Sequence, residues 1–473
     1  MPGKGASHRY SLDPAKGVFS IGFGQSSVPI TPLLKALGAN DKQLREAWGN
    51  EIYQANADTD DPSHLDKIFN RIAKSKPGDV VTPESRKKSV IEAMLKMEMD
   101  PEVNTRTLGS PFANVSADSI IAATKKLLAV HRKEQDPDDR DAMSYQSMIG
   151  PEDLFSERVK VAHRIMRPML WKASFKKNLS SFGPGFLDSQ INGAIMTSGL
   201  GQPLEEVNPA DLLNQITRVS RLGEGGIPSL QSVPEEARNV QPSHFGFIDP
   251  LLTPESLKVG VDSRIAINSR KGIDGKVYGS FRDVHTGEDA WKTPQELAGS
   301  AIAFPNQMAD KTKDKIAALV DGKIKYVDRK NVNYELPRME SSFNHLANMV
   351  PLKSATKGQR VMMGARMLTQ ALPLQNPEAP YVQSGMPDED DKSYEESYGG
   401  HMGAIRSTVA GQVIKVDGDE IHIRGEDGQL HKKEIYNNLP FNRKTFLHNT
   451  PTVKVGDVVG NGDLLARSNY TND

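Results

Sequence analysis

The chain has 473 residues, with 59 lysines and arginines against 60 aspartates and glutamates, for a formal net charge of −1. That length predicts several domains, and the charge balance excludes a nucleic-acid binder carried by overall basicity, so any such contact must come from a local patch or from a partner. The absence of cysteine excludes disulfides and thiolate metal sites, no apolar run is long enough to predict a membrane-spanning helix, and the N-terminal MPGKGASHRYSLDPAKG lacks the apolar core of a signal peptide.

In chain order, residues 1–27 read as a flexible leader. Next, VPITPLLKALGANDKQL places Leu33, Leu34 and Leu37 on one helical face, with Gly38 as the C-cap and Asp41 as the cap of a following short helix. Residues 57–87 are polar and broken by proline. Asp58, Asp60 and Asp61 lack the glycine and distal glutamate of a calcium loop and read as a solvated acidic turn. Ser116 is positioned to cap a helix over 117–133, whose stripe is Ile120, Ile121, Leu127 and Leu128, with Lys125 and Lys126 outside it. In Asp138-Asp139-Arg140-Asp141, the arginine among carboxylates points to an ion-paired turn. Residues 152–182 read as a basic amphipathic helix bearing Arg158, Lys160, His163, Arg164, Arg167, Lys172, Lys176 and Lys177. Two readings stand for it: a solvated face, or a positive wall contacting phosphates without reading sequence.

Residues 208–260 combine several turn signals. Arg218 and Arg221 lead into Gly223, Gly225 and Gly226, and then come Arg238, Pro242, His244, Gly246, Pro250, Pro254 and Glu255. So many turn-formers exclude a long helix or a central strand. The stretch reads as an irregular surface segment pinned at many points, the kind of segment that often carries function. A histidine in such a tight turn, His244, is expected to be structural. From 264 to about 337, RIAIN, GKVYGSFRDV and GKIKYVD alternate with period two and predict antiparallel hairpins, with an inserted helix over 308–319. A helix from about 357 to 369 would place Arg360, Met363, Met367 and Gln370 along one face. The methionines are expected to pack in a core, whereas Arg360 and Gln370 are candidates for function. Residues 386–399 read as an exposed acidic linker loop. Beyond it, VIKVDGDEIHIR predicts a hairpin turning at Gly418, and VKVGDVVGNGDLLA predicts a second. The second motif also occurs in carrier barrels that need a lysine at the hairpin tip, but Gly418 and Gly462 occupy the tips here.

The order R-V-S-R-L-G-E-G-G, R-N-V-Q-P-S-H-F-G and P-L-L-T-P-E-S resembles the fork region of the β subunit of multisubunit RNA polymerases. Arg360, Met363, Gly364, Met367, Gln370 and Pro373 fall on matching positions of a further β-subunit segment. The 28–38 helix, the Asp-Asp-Arg-Asp turn and the last strands resemble their β-subunit counterparts in turn. The resemblance implies an α+β multidomain fold, with a helical lobe over 28–165, a protrusion and fork region over 166–263 and a β-rich external domain over 264–345. A split β-barrel-like hybrid-binding region follows over 346–473. It implies DNA-templated RNA synthesis by in-line phosphoryl transfer. Arg360 would contact the triphosphate, since a guanidinium fork suits phosphate oxygens, with Glu255 and Gln370 beside it. Arg218, Arg221, Gly223, Gly225, Gly226, Arg238, Lys258 and Arg366 would shape the fork and its nucleic-acid contacts.

In that family the essential magnesium sits on an aspartate triad of the β′ subunit, in a motif absent here, so Mg2+ is expected on a β′-like partner and no metal on this chain. The family's N-[FY]-E-D acidic pair would follow the matched region. The resemblance therefore implies a split β subunit completed by a C-terminal β-like chain and β′-like chains, acting on a DNA template, an RNA transcript and nucleoside triphosphates, with no membrane. Such splitting with diverged motifs resembles the polymerases of giant bacteriophages, placed in the infected host cytoplasm or the virion, although some archaea also split this subunit. Several positions depart from the family. Ser256 follows Glu255 in place of glycine, Lys258 and Arg366 replace asparagines, Thr356-Lys357 replaces an acidic pair, and Pro203, Glu205 and Gln215 alter the residues of the rifampicin pocket. The alternative is a non-catalytic structural or host-polymerase-interacting protein built on a diverged β domain.

Overall fold

A computed structural model of the chain describes residues 8–23, 26–72, 82–179, 182–196, 201–223, 226–374, 378, 380–386, 392–399 and 402–470, without the side chains of 160–165 and 195. The chain divides into two compact units, Met1–Arg140 and Asp141–Asp473. The expected boundary between 165 and 166 falls inside one continuous helix, Pro151–Lys176.

The first unit is helical, but it is entered through a sheet. Strands Arg9–Asp13, Val18–Phe23 and Ser26–Pro29 form an antiparallel meander. Phe19 and Ile21 are fully buried with Ile30, Leu33, Leu34, Leu44, Trp48, Ile68, Met94 and Ile120. The Phe19 ring lies 4.9 Å from that of Trp48. Buried Asn56 accepts from Phe19 N at 2.8 Å and donates to the carbonyls of Gly17 and Ile52, each at 2.8 Å. The expectation of a flexible leader is therefore corrected over residues 9–23: two apolar residues on one face of a short strand suffice to anchor it. Gly38 takes φ +97° just past the Thr31–Ala36 helix, as its C-cap role requires. The next helix begins one residue earlier than expected, with Asn40 as its cap and Asp41 inside it. Ser116 caps Ala117–His131 through Ser119 N at 3.2 Å, and Asp138 pairs with Lys126.

In the second unit a seven-stranded sheet runs in the order Lys323–Asp328, Lys315–Val320, Ala301–Ala303, Tyr334–Glu335, Val277–Asp283, Ser269–Lys271, with Asp289–Lys292 also on Val277–Asp283. The predicted hairpin strands over 277–283 and 323–328 are present. The expected helix over 308–319 is not: Lys315–Val320 is a strand paired with Lys323–Asp328. Asp321 and Gly322 both have positive φ, the geometry of a two-residue hairpin turn that closes this pairing.

Two small sheets share one core at the C-terminal end, where Val413, Ile421, Ile423, Ile435, Val459, Leu465 and Ala466 meet. The Gly411–Val416 and Glu420–Gly425 hairpin forms as predicted. The second predicted hairpin does not: Val458–Val459 pairs with Gly411–Val416, and Leu464–Ser468 pairs with Asn449–Pro451 and Ile405–Arg406. The turn between them passes the chain from one sheet to the other. No closed barrel forms among the described residues. The acidic linker is corrected over 393–399. Ser393 caps a short helix, Tyr394–Tyr398, whose tyrosines, four residues apart, are buried on one face. The basic helix Pro151–Lys176 forms, but Trp171 and Phe175 are stacked and mostly exposed beside Arg167, Lys172 and Lys176. Among the described residues no helix is long and apolar enough to cross a membrane.

Candidate functional site

Two segments distant in sequence are joined here: 208–264 and the helix Gly358–Thr369. The joint is Asn208, which is 2% exposed. Its Oδ1 accepts from Asp211 N at 2.9 Å and so caps the helix Pro209–Ile216. Its Nδ2 donates to the carbonyls of Leu368 at 3.0 Å and Ala371 at 2.8 Å. Leu368 is in the last turn of the Gly358–Thr369 helix, its oxygen also taking Ala371 N at 3.4 Å, and Ala371 lies just past the helix end. At the other end of that helix Gly358 packs against Leu251: a Cβ there would lie 2.9 Å from Leu251 Cδ2, which would have to shift.

The segment itself is less superficial than its composition suggests. Phe247, Ile248 and Leu252 are buried. The Asp249 carboxylate, 3% exposed, accepts from Leu251 N at 2.6 Å, Leu252 N at 3.0 Å and Asn344 N at 2.5 Å. Burial pushes its carboxyl upward against those three donors. Three carboxylate contacts to backbone fix the chain just before the Pro254-Glu255 turn. Thr253 Oγ1 closes that turn by donating to Asp262 O at 3.0 Å and accepting from Gly260 N at 2.8 Å.

The structure brings some of the predicted residues together. Glu255 Oε2 meets Arg366 Nη1 at 3.2 Å, across 111 residues of chain, in a largely exposed ion pair. Arg360 lies near the start of the same helix, exposed, with a guanidinium N–H 3.5 Å from Met363 Sδ. Gln370 is exposed as the C-cap. Core packing of both methionines is corrected for Met367, which is 66% exposed. The residues facing inward are Val361, Ala365 and Thr369, at four-residue spacing.

Other predicted residues are committed to the fold. Arg238 spends its guanidinium on the carbonyls of Leu257 at 2.8 Å, Val259 at 3.1 Å and Leu230 at 3.4 Å. Lys258 pairs with Asp262 at 3.6 Å. Gly223 and Gly226 close a tight turn, with Gly226 N on Gly223 O at 3.0 Å, and a Cβ on Gly226 would fall 2.6 Å from Arg221 O. Gly225 lies outside the described residues. Arg221 reaches Asp141 at 3.5 Å and His244 Nε2 at 3.3 Å, while Gln241 N faces Nδ1 at 3.3 Å. Burial and the Arg221 charge hold His244 down to about 4, so it stays neutral, and one of its two ring nitrogens accepts from these donors.

Arg218 stands directly opposite Arg264 in the antiparallel pair Arg218–Ser220 and Asp262–Arg264. Arg264 and Asn208 were not anticipated from sequence. Asn208-Pro209 does carry a helix-start signal, but Arg264 becomes visible only through strand register.

With this geometry in view, the match to known proteins has a definite place. Residues 202–270 match the family described as RNA polymerase Rpb2, domain 3, a span holding Asn208, Arg218, Glu255 and Arg264. Together with the mixed α+β fold, this supports a DNA-directed RNA polymerase β-subunit region. The DNA-directed RNA polymerase subunit beta of Fusobacterium nucleatum subsp. nucleatum is 27% identical over 422 residues, covering 83% of this chain and 35% of that protein. The same subunit of Rhizorhabdus wittichii is 27% identical over 397 residues, covering 80% of this chain and 26% of that protein. That of Thermus aquaticus is 29% identical over 287 residues, covering 59% of this chain and 25% of that protein. The chain thus spans 25% to 35% of the length of these relatives.

Proposed function

We propose that this chain is a β-like part of a multisubunit DNA-directed RNA polymerase, contributing to the active-site cleft and to contacts with the nucleic-acid hybrid and the incoming nucleoside triphosphate. The observation that carries the reading is the joint at Asn208. It holds the exposed Arg360 and Arg366 on one helix against the turn that presents Glu255, a turn whose sequence resembles the polymerase fork.

In this reading Arg360 supplies fixed positive charge to a triphosphate. Its exposure and the absence of a carboxylate partner among the described residues leave its fork open for phosphate oxygens. Glu255 and Gln370 border the same path, and Arg366, held by Glu255, adds a second cation to it. The described residues include no cluster of three histidines, aspartates or glutamates fit to hold a metal ion. Mg2+ is proposed to sit on a β′-like partner. Template DNA, transcript RNA and the remainder of a β-like subunit complete the proposed assembly. The proposal that the enzyme is of the giant-bacteriophage kind, working in the infected cell or carried in the virion, rests on the resemblance of its diverged motifs, with an archaeal origin the alternative.

The test is co-expression with β′-like chains and the remaining β-like segment, followed by RNA extension on a primed scaffold. Copurification and extension support the reading. A stable assembly that makes no RNA, or failure of any such chain to bind, counts against it and favours a non-catalytic interaction role.

A further inference from the structure

The ladder between Arg218–Ser220 and Asp262–Arg264 sets two arginines face to face. Side chains of directly opposed residues share one face of the pair, and like charges there destabilise it. Arg264 is only 8% exposed. Burial first, and then the charge of Arg218, push its guanidinium down to about 10. Keeping two cations in this position has a cost, and neither has a carboxylate in ion-pair contact among the described residues.

The neighbouring acids Asp262, Asp249 and Asp211 act on Arg264 through space, without an ion-pair contact, and their hydrogen bonds go to other groups. Asp262 takes Ser220 Oγ at 2.6 Å and Lys258 Nζ at 3.6 Å. Asp249 takes three backbone N–H groups. Asp211 takes Gln215 Nε2 at 3.2 Å. The arginines also keep donors in reserve. Arg264 uses Nε on Asn214 Oδ1 at 2.6 Å and Nη1 on Ser263 O at 3.1 Å, which leaves Nη2 without an acceptor among the described residues. Arg218 uses Nη2 on Gln202 Oε1, which leaves Nε and Nη1. Arg218 is half-buried and Arg264 buried.

We propose that Arg218 and Arg264 form a two-arginine clamp for a single phosphate group. One phosphate would neutralise the opposed charges and accept from the unused donors of both forks, a geometry for which guanidinium is suited. The phosphate has two possible sources, a nucleic-acid backbone and a free polyphosphate chain. The clamp deepens the nucleic-acid role given above to Arg218 and rests on that reading only for which source applies.

The test uses the full chain alone. A short fluorescent single-stranded oligonucleotide is titrated by anisotropy across a salt series, with inorganic tripolyphosphate as competitor. Arg218→Gln and Arg264→Gln should each weaken oligonucleotide binding about tenfold at low salt, the scale of one charge-assisted hydrogen bond. Each should also reduce the salt slope by about 0.7, the value for one phosphate neutralised on a single strand. The double variant should lose no more slope than either single one, because both forks hold the same phosphate. Tripolyphosphate that displaces the oligonucleotide from wild type, but binds neither variant, assigns the clamp to a free polyphosphate. Failure to displace assigns it to the backbone.

Binding of Arg264→Gln equal to wild type overturns the clamp. So does a double variant that loses the slope of two phosphates, or a wild-type chain that binds neither probe. Thermal melts follow folding throughout. If Arg264→Gln does not fold, Arg264→Lys, which keeps the charge but not the fork, takes its place and should weaken binding several-fold; unchanged binding overturns the clamp equally. An assembly inert in RNA extension with the clamp intact would sink the polymerase reading alone. Wild-type binding by the Arg264 variant would sink the clamp alone.

Discussion

Replacing Asn208 with alanine should loosen two helices at once. The side chain makes three hydrogen bonds: it caps Pro209–Ile216, and it donates to the Leu368 and Ala371 carbonyls. Loss of an asparagine cap costs about 1 kcal/mol. Removing each bond to a carbonyl costs about 1 kcal/mol more, and more still if the oxygen stays buried without a donor. The expected total is about 3 kcal/mol, of which the tie between segments accounts for about 2 kcal/mol. Asn208→Ser separates the parts, since serine keeps the cap acceptor but cannot reach both carbonyls. Native-state hydrogen exchange, read amide by amide, is the assay because it reports each helix separately. Alanine should speed exchange in Gly358–Thr369 by about thirtyfold, since the tie of about 2 kcal/mol converts at about 1.4 kcal/mol per factor of ten. Serine should speed exchange there but spare Pro209–Ile216. Unchanged protection of Gly358–Thr369 in the alanine variant would refute the reasoning that Asn208 fixes the Arg360 helix.

Other outcomes follow from the same geometry. His244 is held at about 4, below its ordinary 6.5, so the unfolded chain takes up the proton first. Its contribution is complete above pH 6.5 and is lost as pH falls toward 4. Urea unfolding should therefore show about 2 kcal/mol less stability at pH 5 than at pH 7 from this residue, a difference that His244→Gln removes; a slope unchanged by that substitution would contradict it. Phe19→Ala should cost about 3–5 kcal/mol in the first unit, measured by its thermal transition, whereas a flexible leader would show no loss. Glu255→Gln should change stability by less than about 1 kcal/mol, because the pair with Arg366 is exposed; a larger loss on thermal melting would mean that Glu255 has a buried role.

Local chemistry was legible wherever one short stretch decides the structure. The caps at Ser116 and Gly38, the Asp417-Gly418 hairpin and the Gly358–Thr369 helix follow from residues within a few positions of one another. Lys315–Val320 was not legible, because Lys-Ile-Ala-Ala-Leu-Val suits a helix locally and only the Asp321-Gly322 turn and its partner strand make it extended. The N-terminal meander was hidden because Phe19 and Ile21 lie among serine and glycine, and their partners Trp48 and Asn56 come from later helices. In the site, motif order pointed to Arg218, Glu255 and Arg360. The contacts that organise them are long-range. Glu255 with Arg366, Asn208 with Leu368 and Arg218 opposite Arg264 all depend on how segments pair, which no spacing along the chain reveals.

Single-nucleotide addition by the assembled enzyme on a primed DNA–RNA scaffold, with Arg360→Ala beside wild type, tests the central claim most directly. The account predicts that the alanine variant assembles normally and binds the scaffold equally well. Its kcat/KM for the incoming nucleotide should fall at least tenfold (on the order of one charge-assisted hydrogen bond to phosphate). An assembled wild-type complex that adds no nucleotide, or an alanine variant that adds it as fast as wild type, would contradict the account.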